Sequence, residues 1–547
     1  MSPRIDPRTG RTHRTPAALT QNDRRFADTD TPRCRHRQLA NKTAMIRRLA
    51  LASRRAAACR ASSSHAAPML LRDFIDHALY SAAAGYFGAG APVVGGLSEP
   101  LAFASMEGET EYRDALAKAY SPSSGRAWLT PVEVFSPHYG RAIGRATIER
   151  HEALYPREPL QMLEVGGGNG TCAVDLLSLL REQRPALYAN CRYVLLEISP
   201  RLAEAQRANL HAAGHAAVCE VHQQCARRWA VEAAAGAAGA AGALGGGPWW
   251  VQMFEVLDNL PHDKVRLSET ADGRVVYEEA VVFPPAGQGH EWTESCASRA
   301  HPNTTNSCKY ARPAECVSCV PLPPLVRMAS RALRRYRPLQ DEAIIEVIEL
   351  LELTCPHALR EEHEHVAREP GAAKGAALAL GLQQLMARLG GGGGGAVEEV
   401  FVPTGLWRML SALTALCPEH QLTLADFSWL PRQPGGALNA PVVQTQASGR
   451  TQDLHGDYLL SPGAADILFP TNFAHTRRMV EAASARARSE GAGESAAGAP
   501  SAAATVLSNA EFMRRWHDSS ATTSRNGFDP VVDDFSNTSL LATGLSE

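Results

Sequence analysis

Two acids three residues apart, Glu255 and Asp258, stand in the run FEVLDNLPHD at 254–263, where the apolar stretch WWVQMF at 249–254 ends. A short apolar run of that kind reads as a buried strand, so both carboxylates leave its carboxyl end in one loop. Paired carboxylates there can bind a cationic group bidentately, orient one of its nitrogens and help manage a proton. A structural reading stands beside this one: Asp258 caps a following helix and Glu255 binds a ligand or backbone amides. His262, two residues past the loop's Leu260, is a further candidate proton acceptor, although a lone histidine beside proline is more often a surface residue.

A second cluster precedes it. Glu164, Gly166, Gly168 and Gly170 follow the pattern E-x-G-x-G-x-G in LEVGGGNGT at 163–171, and Glu197 closes the apolar run YVLLE at 193–197. Strand, glycine turn, helix and an acid at the end of the next strand build a nucleotide-type pocket at the carboxyl ends of a parallel sheet. A dinucleotide fingerprint needs a third glycine three residues after the second, and Thr171 holds that place, which argues against a nicotinamide oxidoreductase. The turn resembles the first motif of class I S-adenosylmethionine (SAM) methyltransferases. SAM carries no phosphate, so the turn need only let bare backbone approach a methionine moiety and its sulfonium, which glycine permits. That resemblance implies SAM as methyl donor, bound at Glu164, Gly166, Gly168, Gly170 and Glu197, with Glu197 accepting two hydrogen bonds from ribose hydroxyls. A tight turn in some other α/β protein, with Glu197 merely solvated, is the plainer alternative.

These residues need elements to hold them. Apolar periodicity predicts helices over 70–86, 136–155, 171–184, 200–213, 325–336 and 340–355. Strands are predicted over 161–165, 192–197, 218–221, 249–254 and 274–283, with later extended runs at 422–427, 440–443 and 466–473. Alternation of strands and helices predicts a mostly parallel sheet covered by helices on both faces. Ala/Gly-rich tracts at 233–247, 371–395 and 482–504 read as surface insertions, disordered or variable, with their Ala-rich parts able to extend helices.

The expected organisation is a transit or disordered segment at 1–65, an N-terminal helical segment at 66–158 and a nucleotide-binding core at 159–285. An irregular cysteine-containing insertion follows at 286–320, then a helical insertion with the remaining core strands at 321–480, and a low-complexity tract and tail at 481–547. A formal net charge of -2 supplies no overall basic field for nucleic acid, and no apolar run reaches the roughly 18 residues of a membrane span. From 32 to 72 the chain has nine arginines and no acid, which is transit-peptide composition; Met45 opens a compact version of it. A basic arm or plain disorder has the same composition. Cys296, Cys308, Cys316 and Cys319 include one C-x-x-C, but their other spacings match no standard zinc pattern, so no metal is expected.

The 254–261 run also resembles the N-E-x-x-D-x-L-P motif of the MidA-like family, mitochondrial complex I assembly methyltransferases, with Phe254 at the Asn position. FIDHALYSAAAGYF at 74–87 is similar to that family's first helix and G-Y-F turn. LTPVEVF at 129–135 is similar to its T-S-P-E segment with one residue added before Glu133, and DILFPTNF at 466–473 resembles a late strand with Asn472 replacing an acid. The resemblance spans about residues 70–480, broken by insertions. It implies an α/β, class I, Rossmann-like methyltransferase with an N-terminal helical segment and helical insertions. The implied reaction is methyl transfer from SAM to an arginine of a protein partner, a complex I subunit, during assembly in the mitochondrial matrix; a chloroplast address stays open. Glu255 and Asp258 would then be the catalytic pair. A non-catalytic SAM-binding scaffold with the same fold is the competing expectation.

Overall fold

The computed structural model describes residues 68–88, 93–97, 99–119, 128–229, 244, 246–270, 272, 274–283, 333–353, 397–431, 436–447, 450–490 and 503–545. The transit-peptide segment, Met45 and the four cysteines from Cys296 to Cys319 lie outside these residues, as do most of the Ala/Gly-rich tracts.

Seven strands form the largest sheet: β1 (Gln161–Val165), β2 (Arg192–Glu197), β3 (Cys219–Gln223), β4 (Trp249–Phe254), β5 (His420–Phe427), β6 (Ala504–Ser508) and β7 (Thr538–Thr543). Their spatial order is β6-β7-β5-β4-β1-β2-β3. The five from β5 to β3 run parallel, while β7 is antiparallel to both neighbours. Parallel neighbours need long crossovers. The helices Thr171–Gln183 and Pro200–Ala212 provide two of them, the second started by Pro200 after the Ser199 cap. Strands covered on both faces read as nearly continuous apolar runs; β1 and β4 are accordingly buried along their whole length. The chain winds outward from β1 to β3 and then returns to β4 beside β1, so the strand order reverses between β1 and β4. Their carboxyl ends therefore open a crevice.

The helix His138–Leu154 packs against Thr171–Gln183, and its buried Arg150 runs under the sheet. The Arg150 guanidinium donates to Leu422 O, Thr543 O and Thr423 Oγ1, pinning β5 and β7 to this helix.

Three expectations change. The predicted strand at 274–283 forms (Val275–Phe283), but in a second, antiparallel sheet with Met69–Leu70, Asp263–Glu269, Leu333–Pro338 and Val397–Val402. Asp263–Glu269 and Val275–Phe283 are joined too closely for a parallel crossover, so they pair as a hairpin. The architecture is thus mixed α/β, partly antiparallel. Second, the end of the predicted helix at 325–336 is the strand Leu333–Pro338, because pairing with Val275–Phe283 overrides helical periodicity; 325–332 lie outside the described residues. Third, the segment read as tract and tail supplies β6, β7 and the capped helix Asn509–Trp516. Residues 482–490 end the helix Phe473–Glu490. The first helix is shorter than expected, Leu71–Tyr80. A three-stranded sheet, Val442–Ala447 with Arg450–Asp453 and Asp466–Leu468, completes the described architecture. Among the described residues, no helix is long and apolar enough to cross a membrane.

Candidate functional site

The glycine turn leaves β1 at the crevice. Gly166, Gly168 and Gly170 have φ of +70°, +54° and +81°, the left-handed region that costs glycine nothing. Gly166 N–H donates to Leu196 O at 2.9 Å and Gly170 N–H to Gly167 O at 2.7 Å, so backbone bonds hold both ends of the turn. Gly166 is exposed, and a Cβ there would stand 2.8 Å from Val256 Cγ2 in the loop after β4. The turn and the carboxylate loop are therefore neighbours across the crevice, as β1 and β4 pair in the sheet.

Glu164 lies behind the turn rather than in it. Its carboxylate is buried, accepts from Tyr193 Oη at 2.6 Å and lies 3.2 Å from where a Gly167 Cβ would stand. Burial pushes its pKa up to about 7, against the hydrogen bonds from Tyr193 and Gln252. Glu197 ends β2 and is 4 % exposed. Its Oε1 accepts from Ser199 N–H at 2.8 Å and its Oε2 from Gln206 Nε2 at 3.2 Å. The same Gln206 amide donates to Gly168 O at 2.9 Å, tying the acid to the turn. Burial again dominates, holding Glu197 at about 7. A carboxylate has about four acceptor positions, so acceptor capacity remains on Glu197 for a hydroxyl donor beside its bonds from Ser199, Gln206 and Ile198. Exposed glycine backbone at 166 and a positioned acid at 197 fit an adenosyl ligand that brings no phosphate.

Sequence reasoning missed what covers this side. Val94 Cγ1 lies 3.6 Å from where a Gly168 Cβ would stand, and Asn169 Nδ2 donates to Gly95 O at 2.9 Å. Glu133, on the short helix Pro131–Val134, accepts from Thr171 Oγ1 at 2.8 Å and Asn169 Nδ2 at 3.2 Å. The residue added before Glu133 does not remove that acid from the site; it reaches the first turn of the helix after the glycines. Thr171, read only as the missing glycine, is its partner.

The carboxylate loop is built differently. Glu255 has φ +53°, a left-handed conformation that costs a non-glycine residue of order 1–3 kcal/mol and collects at functional sites. Leu257 N–H and Asp258 N–H both donate to Asp426 Oδ2, at 2.8 and 3.1 Å. Asn259 Nδ2 donates to Asp466 Oδ1 at 2.8 Å, and Tyr80 Oη donates to Asn259 O at 2.9 Å. Asp258 does not cap a helix: the next element is the strand Asp263–Glu269. Glu255 Oε1 and Asp258 Oδ1 are both enclosed without a hydrogen-bond partner among the described residues. Burial, then the negative charge of Asp426, raises the pKa of both well above the carboxylate range; Asp466 and Glu255 add to the effect on Asp258.

Asp426 and Asp466 were not singled out from sequence, although an acid inside an apolar strand, as in LTLADF and AADILF, is the signal that finds them. His262 is not a surface residue. It is 5 % exposed, stacks on Phe469 at 4.0 Å, directs Nδ1 at Leu260 O and is lowered by burial to about 4. Phe254 lies edge-on to the Tyr139 ring at 6.2 Å. Asn472 Oδ1 accepts from His475 N–H at 3.0 Å at the start of Phe473–Glu490, a capping role that Asn fills as well as Asp. Among the described residues, no group of three His, Cys, Asp or Glu side chains is arranged to hold a metal ion.

Residues 142–491 match the family described as "Putative S-adenosyl-L-methionine-dependent methyltransferase". Two solved structures from Burkholderia thailandensis are similar to the chain. An uncharacterized ACR superfamily protein shares 15% identity over 93% of this chain and 94% of its own, with a TM-score of 0.42. A superfamily member titled a "likely methyl transferase", bound to S-adenosyl-homocysteine, shares 15% identity over 93% and 95%, with a TM-score of 0.44. No curated protein matches the chain. The chain belongs to this family of S-adenosyl-L-methionine-dependent methyltransferases, and SAM is its cofactor.

Proposed function

We propose that the chain is a class I, Rossmann-like methyltransferase that methylates an arginine of a protein partner, a mitochondrial complex I subunit, in support of that complex's assembly. The strand order β3-β2-β1-β4-β5-β7-β6 with β7 reversed supports the class. The observation that carries the acceptor is the pair of enclosed, unpartnered oxygens on Glu255 and Asp258 beside the glycine turn. Such a site lacks a cation with several donors. A guanidinium is protonated below a pKa of about 12 and presents a planar fork that matches carboxylates, whereas a neutral acceptor would bring donors but no charge to offset two ionised acids.

Bound SAM supplies an electrophilic methyl on a sulfonium. Gly166, Gly168 and Gly170 would admit its methionine part, and Glu197 would hold its ribose. Glu255 and Asp258 would draw the guanidinium in, exchange their own protons for its charge and turn one nitrogen toward the methyl. As the N–C bond forms and the S–C bond breaks, that nitrogen loses a proton, and the carboxylate hydrogen-bonded to it is the group in place to take it. His262, neutral and bonded to Leu260 O, is turned to the loop and is not assigned this role.

The test incubates the protein with methyl-labelled SAM and arginine peptides from complex I subunits, read by mass spectrometry. Label on arginine is the expected result. Micromolar SAM binding with no label on any peptide would sink the enzyme reading and favour a SAM-binding scaffold. The address is tested separately by imaging a tagged full-length chain.

A further inference from the structure

Asp426 is the acid of the carboxylate cluster that bonds the backbone carrying Glu255 and Asp258. It sits in β5, fully buried, and its Oδ1 accepts from Phe427 N–H at 2.7 Å. Its Oδ2 accepts from both Leu257 N–H and Asp258 N–H. Those two amides belong to the loop that presents the unpartnered oxygens, and the adjoining Glu255 N–H is fixed by Ala425 O, the residue before Asp426 in β5. A neutral hydrogen-bonding residue could not replace it simply: an amide side chain offers one acceptor oxygen, while several backbone donors converge here.

We infer that Asp426 is a positioning residue for the proposed acceptor site, its carboxylate clamping the 255–258 loop so that Glu255 and Asp258 both face one bound cation. The inference rests on the arginine-acceptor reading. The groups facing Asp426 are Glu255 and Asp258 from the loop and Tyr139 from the helix His138–Leu154, with Asp466 beyond Asp258. Asp426 therefore acts twice: it fixes the loop, and its charge makes the two outer acids reluctant to ionise until a cation arrives. Burial raises Asp426 itself as well, opposed by backbone N–H groups of Phe427, Asp258, Leu257 and Val256.

The experiment titrates full-length protein loaded with S-adenosylhomocysteine with an arginine peptide and its glutamine counterpart, from pH 5.5 to 9. Wild type should bind the arginine peptide at least tenfold more tightly, losing it as the pH falls and the acids take up protons. Asp426→Asn should weaken arginine-peptide binding at least tenfold, keep S-adenosylhomocysteine affinity within twofold, and move the pH midpoint of binding downward because a like charge is gone. A purely structural residue would weaken binding without moving that midpoint. If wild type does not distinguish the two peptides, the arginine reading fails. If it does, and the variant binds with unchanged affinity and midpoint, the positioning role fails. Should the variant not fold, amide exchange in wild type decides: Leu257 and Asp258 N–H must exchange as slowly as β5, and fast exchange overturns the clamp.

Discussion

The two sides of the crevice carry acids in opposite states. On the glycine-turn side, Glu133, Glu164 and Glu197 each accept hydrogen bonds from neighbours: Thr171 and Asn169, Tyr193, and Ser199 with Gln206. On the loop side, Glu255 and Asp258 each keep an enclosed oxygen that nothing satisfies among the described residues, beside two further acids. The first side is held in place before a ligand arrives and offers shape and a positioned acceptor at Glu197. The second is in deficit and offers charge, which a bound cation would make good. A partner that binds by filling an electrostatic deficit is selected by charge, whereas one that binds along glycine backbone is selected by fit.

The strongest way to break this contrast is Asp258→Asn. Removing one partner of a buried charge pair costs about 3–5 kcal/mol, so methyl transfer should fall roughly a thousandfold in a single-turnover assay while SAM affinity stays unchanged. The apo variant should also melt higher, because an unsatisfied buried acid has gone; a lower melting temperature would mean that Asp258 has a hidden partner. Next is Gly168→Val. Valine at φ +54° is strained, and its methyls would meet Val94, so SAM affinity measured by calorimetry should drop at least about a hundredfold, ~2.7 kcal/mol. Wild-type affinity would mean that the turn does not touch the donor.

Glu197→Ala should weaken SAM by roughly 1.5–3 kcal/mol, the range for hydrogen bonds to a charged group. Its pH signature sharpens the comparison further. Glu197 titrates at about 7 in the fold against 4.5 when free, so folding favours its protonated form. That contribution is complete below pH 4.5 and is lost as pH rises through 7, worth about 3 kcal/mol for a shift of this size. Urea unfolding should show wild type losing stability relative to Glu197→Gln across that window; parallel curves would contradict it. The smallest effect is expected from Glu133→Gln, which keeps one acceptor for Thr171: SAM affinity should fall by about 1 kcal/mol or less. A hundredfold loss would make Glu133 a direct ligand.

Much of the turn side was legible because it is local. The strands Gln161–Val165 and Arg192–Glu197 form with the bounds their apolar runs predict, and the glycines adopt the positive φ that their type allows. The loop side was only half legible. Glu255 and Asp258 were found because they are near in sequence, but Asp426 and Asp466 lie 168 and 207 residues from the loop residues they bond, and no local pattern links them. His262 was misjudged for the same reason: Phe469, which buries it, is distant in the chain.

The sequence by itself determined the glycine-turn half of the crevice, since a strand, a glycine turn and an acid one strand later obey short-range rules of backbone geometry and periodicity. Tertiary structure alone decided the rest. It set β6 and β7 at one edge of the sheet, drew Glu133 onto the turn, and gathered four acids into one buried place. Charge that conflicts over a few ångströms is a property of distance in space, and the order of residues along the chain does not contain it.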